Sequence, residues 1–234
     1  MEGKLGIFYG VSVGPGDPEL LTRKAYRILK TCPVIAAPRT GNGEQLALAI
    51  AGQAVELDGK ELLPLPFSMS RDPAEREAVW QQDADRVAAY LDRGQDVAMV
   101  VLGDVSTYST YCYLMQRLQR RGYPTEMIPG VTSFAAVAAR LGESLVAGDE
   151  ALHVLPASHP EQLAGLDLPG TKVLLKSGRD LPEVIETLRE KDLLDRAALV
   201  ANCGRPNEAV CRDLRTLDGS VGYYATIIVK EETP

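Results

Sequence analysis

At 234 residues, with 45% apolar and 24% charged side chains, the chain has the make-up of an ordinary globular protein, which excludes the disordered and fibrous classes. A formal charge of -7 speaks against nucleic acid as a partner, because a phosphate backbone asks for the opposite sign. The cysteines, Cys32, Cys112, Cys203 and Cys211, form no C-x-x-C pair and only two histidines accompany them, so reduced thiols in a cytoplasmic protein are expected rather than a disulfide framework or a structural metal site.

The opening residues lack the charged-then-apolar order of a secretory signal. Residues 5–13 read as a first strand, closed by a Gly14-Pro15-Gly16 turn that cannot continue it. Asp17 reads as an N-cap and Pro18 as a first helical residue. The helix that follows gathers Leu20, Leu21, Ala25, Ile28 and Leu29 on one face and stops at Cys32-Pro33. Residues 34–37 form a short second strand, ending in Pro38, Arg39 and a Gly41-Asn42-Gly43 turn. An alanine-rich helix over 45–54 precedes residues 61–67, whose prolines suit an edge strand. A long amphipathic helix over 74–93 ends at Gly94. The apolar strand 97–102 opens into Gly103-Asp104 and a hydroxyl-rich loop, with a helix expected over 107–119.

Arg120-Arg121-Gly122 and Tyr123-Pro124 mark the expected end of a first domain, residues 1–122. In the second, residues 123–234, strand 126–128 leads through Pro129-Gly130 to a helix opened by Thr132-Ser133. Strands at 153–156 and 172–175, a helix at 181–190, and strands at 198–202, 209–214 and 224–230 complete it. Strands that alternate with helices first and cluster later predict an α/β protein of two α/β domains. No run approaches the roughly 20 apolar residues of a membrane span.

Ligands of open α/β sheets gather outside the carboxyl ends of the strands. The stretches 10–22, 100–111 and 129–134 all have that character. Asp104, behind a glycine that permits close backbone approach, suits a ligand with hydroxyls or a positive charge. The first loop lacks the G-x-G-x-x-G spacing of a dinucleotide site, and neither a P-loop nor a G-x-S-x-G elbow occurs. His153 and His159 have no serine partner by motif and read as structural.

G-V-S-V-G-P-G-D-P-E-L-L-T at 10–22, L-G-D-V-S-T-Y-S-T at 102–110 and P-G-V-T-S-F at 129–134 resemble, in order and separation, the tetrapyrrole methylases of corrin and sirohaem biosynthesis. Y-Y-A-T-I-I-V at 223–229 resembles that family's final strand. The Ser-Thr-Tyr-Ser-Thr continuation is most similar to the members that methylate carbon 20 of precorrin-2 or cobalt-factor II. The resemblance implies S-adenosylmethionine in a trough between the two domains, with S-adenosylhomocysteine as product. On matching positions it implies cofactor contacts from Pro15, Leu102, Gly103, Asp104 and Thr107. Thr132 and Ser133 would add hydroxyls at a helix start, where unpaired backbone donors also point outward. Leu175, Lys176 and Asn202 would contribute from the second domain. A homodimer is implied as well, with no protein-bound metal, since any cobalt arrives inside the macrocycle.

Methyl transfer from a sulfonium is an in-line displacement, so the protein must aim the methyl and exclude water. The meso carbon of a reduced tetrapyrrole is already electron-rich, and a proton must later leave it. Asp104 and Tyr108 are the candidates for orienting the macrocycle or assisting that loss. The substrate's carboxylates suit Arg39, whose guanidinium binds them bidentately; Arg71, Arg76, Lys176 and Arg179 are secondary candidates. The rival readings are another tetrapyrrole position, a diphthine or ribosomal RNA methylase sharing the cofactor loops, and a non-catalytic sensor or carrier.

Overall fold

The computed structural model describes residues 4–39, 45–68, 70, 72–178, 180–217, 221–222 and 224–231. The chain divides into two compact units, Met1–Thr132 and Ser133–Pro234.

The first unit is built on strands β1 (Phe8–Ser12), β2 (Val34–Pro38), β3 (Glu61–Leu65), β4 (Val97–Val101) and β5 (Thr125–Ile128). They form a five-stranded sheet in the order β3-β2-β4-β1-β5, parallel throughout. A parallel sheet is covered on both faces, and the strands alternate accordingly. Phe8, Val34, Ala36, Val97, Met99 and Val101 pack with helices α3 (Pro73–Leu91) and α4 (Tyr111–Arg120). Tyr9, Val11, Ile35, Ala37, Ala98 and Val100 pack with α1 (Arg23–Thr31) and α2 (Leu46–Ala54). β3 takes the edge foreseen from the prolines of residues 61–67.

Tyr111 shows why Gly10 is needed in the middle of β1. The ring is fully buried, and a Cβ on Gly10 would lie 2.6 Å from it. Its hydroxyl donates to the carbonyls of Phe8 at 2.9 Å and Glu126 at 3.2 Å, satisfying the one polar atom that burial would otherwise penalise.

Three boundaries differ from the sequence reading. The helix expected from Pro18 is two pieces: Asp17 caps a 3-10 turn, Pro18–Leu20, and α1 begins after Thr22, whose Oγ1 accepts from Ala25 N–H at 3.2 Å. α4 begins at Tyr111 rather than 107, because residues 104–110 are held as a loop. The first unit runs to Thr132, not 122. Gly122, at φ +85, turns the chain out of α4 only to return it as β5, which pairs with β1 from Phe8↔Thr125 to Val11↔Ile128.

The second unit has strands β6 (Leu152–Pro156), β7 (Thr171–Leu175), β8 (Ala197–Ala201), β9 (Ala209–Cys211) and β10 (Ala225–Val229), ordered β6-β7-β10-β8-β9. β10 is antiparallel to both β7 and β8, so those two run the same way. Helix α5 (Ser133–Leu141) packs on Val173, Val200 and Ile228. Helix α6 (Leu181–Glu190) packs on Leu174, Leu199 and Ile227 from the other face.

Candidate functional site

β1 and β4 are neighbours, yet the helices after them, α1 and α4, lie on opposite faces of the sheet. Their loops therefore diverge, which makes the carboxyl end of this pair a topological switch point, the place where open sheets hold ligands. Gly14 and Gly103 meet there in an antiparallel bridge. Gly14 N–H donates to the Gly103 carbonyl at 3.2 Å and Gly103 N–H to the Gly14 carbonyl at 2.7 Å. Both have left-handed backbones, φ +74 and +72, which glycine adopts at no steric cost. Gly103's polar groups are thus aimed at Gly14, while a Cβ built on it would meet nothing within 4 Å. Pro15 is buried directly after the bridge.

Asp104 organises the loop beyond. Its Oδ1 accepts from Ser106 N–H at 2.9 Å and from the Ser106 hydroxyl, and its Oδ2 accepts from Gly130 N–H at 2.8 Å. Burial pushes its carboxyl pKa up, but the hydrogen bonds from Ser106 and Gly130 outweigh that and hold it below the usual range. Thr107 N–H closes the turn onto the Asp104 carbonyl at 3.2 Å. Tyr108 follows with φ +49, an unusual backbone for a bulky residue, and its side chain is 49% exposed. Beside this loop the 129–132 turn brings in Thr132, half-buried, and Ser133 opens α5. Arg39 stands at the carboxyl end of β2, the other neighbour of β4, exposed, with its N–H bonded to the Leu65 carbonyl at 2.8 Å.

In the second unit Lys176 and Asn202 directly follow β7 and β8, both with left-handed backbones, φ 60 and 52. Asn202 N–H donates to the Tyr224 carbonyl at 2.8 Å, and its Oδ1 accepts from Arg205 at 2.8 Å. The buried Ser177 hydroxyl donates to the Ala225 carbonyl at 3.2 Å. These contacts fix the start of β10 between the two strand ends. Burial pushes the Lys176 ammonium pKa down. Leu175 is a core side chain whose carbonyl is taken by Ala157 N–H at 2.8 Å.

Residues 8–218 match the family described as Tetrapyrrole (Corrin/Porphyrin) Methylases. The chain belongs to this family. It is 35% identical to the cobalt-precorrin-2 C(20)-methyltransferase of Salmonella typhimurium, over 99% of this chain and 98% of that one. It is 33% identical to the precorrin-2 C(20)-methyltransferase of Sinorhizobium sp, over 96% and 95%. Among solved structures, a uroporphyrin-III C-methyltransferase of Thermus thermophilus, complexed with S-adenosylhomocysteine, superposes with a TM-score of 0.70 over 96% of this chain and 92% of that one. At 24% identity that likeness carries the fold.

In this tetrapyrrole methylase Pro15, Leu102, Gly103, Asp104, Thr107 and Tyr108 lie on one edge of the first sheet, with the 129–132 turn beside them and Arg39 one strand away. Arg76 is engaged elsewhere, donating to the Ser70 carbonyl at 2.9 Å and lying over Trp80. Arg71 and Arg179 fall outside the described residues. Sequence reasoning passed over Ser12 and took Gly130 only as part of a turn. A hydroxyl in the inward register of an otherwise apolar strand was the available signal, since buried polar atoms require partners.

Proposed function

We propose that this chain transfers a methyl group from S-adenosylmethionine to carbon 20 of precorrin-2 or cobalt-factor II in cobalamin biosynthesis. Identity of 35% and 33% to two C(20)-methyltransferases over nearly the full length carries the reading, and the switch-point loops supply a site of the right chemistry. S-adenosylmethionine, when bound, provides the electrophilic methyl.

The residues present suit such a donor. The open side of Gly103 lets a ligand approach the main chain, the Asp104 carboxylate is held ionised, and Thr107 and Thr132 offer hydroxyls to a ribose or an amino-acid end. We assign Pro15, Leu102, Gly103, Asp104, Thr107, Thr132 and Ser133 to donor binding. Leu175, Lys176 and Asn202 are proposed contacts of the second unit. Asp104 is proposed to act by shaping the loop: a carboxylate with depressed basicity and both oxygens engaged is a weak proton acceptor. Tyr108, exposed at the tip, is the residue proposed to orient the macrocycle or assist proton loss from carbon 20. Arg39 is proposed to meet a substrate carboxylate. We propose further that the enzyme works in the cytoplasm as a homodimer; light scattering of the purified protein checks the dimer, and cell fractionation the compartment.

The deciding experiment incubates the protein anaerobically with S-adenosylmethionine and either precorrin-2 or cobalt-factor II, with product mass and labelled-carbon NMR as readouts. One new methyl on carbon 20 is expected, and the better substrate defines the metal preference. Bound donor with neither macrocycle methylated would overturn the substrate assignment and leave the family membership intact.

A further inference from the structure

Ser12, the last residue of β1, is fully buried. A hydroxyl at such a place costs stability unless its hydrogen bonds are made, and an apolar residue would serve the strand as well. The hydroxyl is occupied on both sides by chain segments distant in sequence. It donates to the Ile128 carbonyl at 2.8 Å, at the end of β5, and accepts from Val105 N–H at 2.8 Å, in the loop after β4.

These two bonds close a ring. From Val105 the chain steps back to Asp104, whose Oδ2 accepts from Gly130 N–H at 2.8 Å. From Gly130 it steps back through Pro129 to Ile128, and so to Ser12 again. Gly130 makes the closure fit: a Cβ there would lie 2.4 Å from Ser12 Cβ and 3.1 Å from the Gly103 carbonyl oxygen. Thr22 adds a weaker outside tie, its hydroxyl 3.4 Å from the Pro129 carbonyl.

We propose that Ser12 is a positioning residue for the methyl-donor site. Its hydroxyl sets the position of the 103–108 loop and the 129–132 turn against β1, so that donor-binding groups carried by different strands share one geometry. Ser12 need not touch the donor; it acts through Val105, Asp104 and Gly130. The donor-site part of this inference rests on the proposed function, whereas the clamp is a property of the loops themselves.

Two variants test it, Ser12→Ala and the near-isosteric Ser12→Cys, whose thiol is a weak donor and acceptor. Calorimetry would measure S-adenosylmethionine affinity, steady-state kinetics would separate KM for the donor from kcat, and amide hydrogen exchange would be followed along the chain. A buried N–H left unpaired typically forfeits enough free energy for about a tenfold change in an equilibrium constant. The expected result is therefore a roughly tenfold loss of donor affinity, expressed in KM more than in kcat. Exchange should speed up at Val105 and Gly130 while the strands stay protected. Unchanged exchange at those amides in Ser12→Cys would overturn the clamp, and so would faster exchange spread evenly over the sheet. Faster local exchange with unchanged affinity would overturn the link to donor binding. A wild-type protein that binds no S-adenosylmethionine would refute the proposed function instead, with the exchange pattern still deciding the clamp.

Discussion

Single atoms at the sheet edge carry much of the specification. Gly130 sits where a side chain would have to share space with Ser12. Gly130→Ala should destabilise the protein by about 3 kcal/mol, as overpacking of a close contact does, and a urea titration of the two proteins reads the difference. Asp83 poses a separate charge problem. It is fully buried on α3 with no hydrogen-bond partner for either oxygen among the described residues, and Arg86 approaches only to 3.9 Å. Burial raises its pKa to about 6, above its unfolded value. The fold is thus favoured by the neutral acid: the gain is complete below the unfolded pKa and disappears as pH rises through about 6. Asp83→Asn should stabilise the protein at about pH 8, with an advantage over wild type that shrinks by about 1–2 kcal/mol on going to about pH 5. Denaturant melts at both values check it, and a difference independent of pH would contradict the account.

At the level of elements, strands were easier to read than helix starts. Residues alternating between two apolar faces announce β1, β2 and β4 without reference to the rest of the molecule. The onset of α4 is set instead by Asp104 and Ser106 holding the preceding loop, and that of α1 by a threonine cap beyond a separate 3-10 turn. The loop preceding α4 also offers a trade of stability against function. Tyr108 occupies a left-handed backbone that asparagine tolerates far better than a bulky residue. Tyr108→Asn should therefore match or exceed wild-type stability by up to about 1 kcal/mol, while kcat/KM for the macrocycle falls. A variant with full turnover would remove the ring from the substrate site.

For the whole molecule, two α/β units follow from the order of strands and helices, but their division does not. The four residues of β5 resemble the opening of a new unit, and only pairing with β1, over a hundred positions earlier, assigns them to the first. The candidate site shared this fate. Loops with glycines and hydroxyls stood out in the sequence, whereas the bonds uniting them, through Ser12 and Gly130, are long-range and leave little local trace. The division has a practical consequence. A fragment of residues 1–132 should keep a cooperative urea transition, because β5, the acceptor for Ser12 and the Gly130 partner of Asp104 are all retained. A fragment ending at 122 should lose cooperativity, since it strips β5 from β1 and exposes a strand edge. Equal melts for the two fragments would place the boundary where the sequence suggested.

The antiparallel β10 lies in the middle of the second sheet although it is the last of that sheet's five strands to be made. While the ribosome is still translating, β7 and β8 have emerged but lack the strand that each must bond, and an interrupted chain ends with its gap at the centre rather than at the rim. Such a product displays two raw inner edges, bordered by Val173, Leu174, Leu199 and Val200, that only a finished copy covers. An unpaired strand edge is a template for pairing with another chain, so the second sheet depends on its final strand to close its middle.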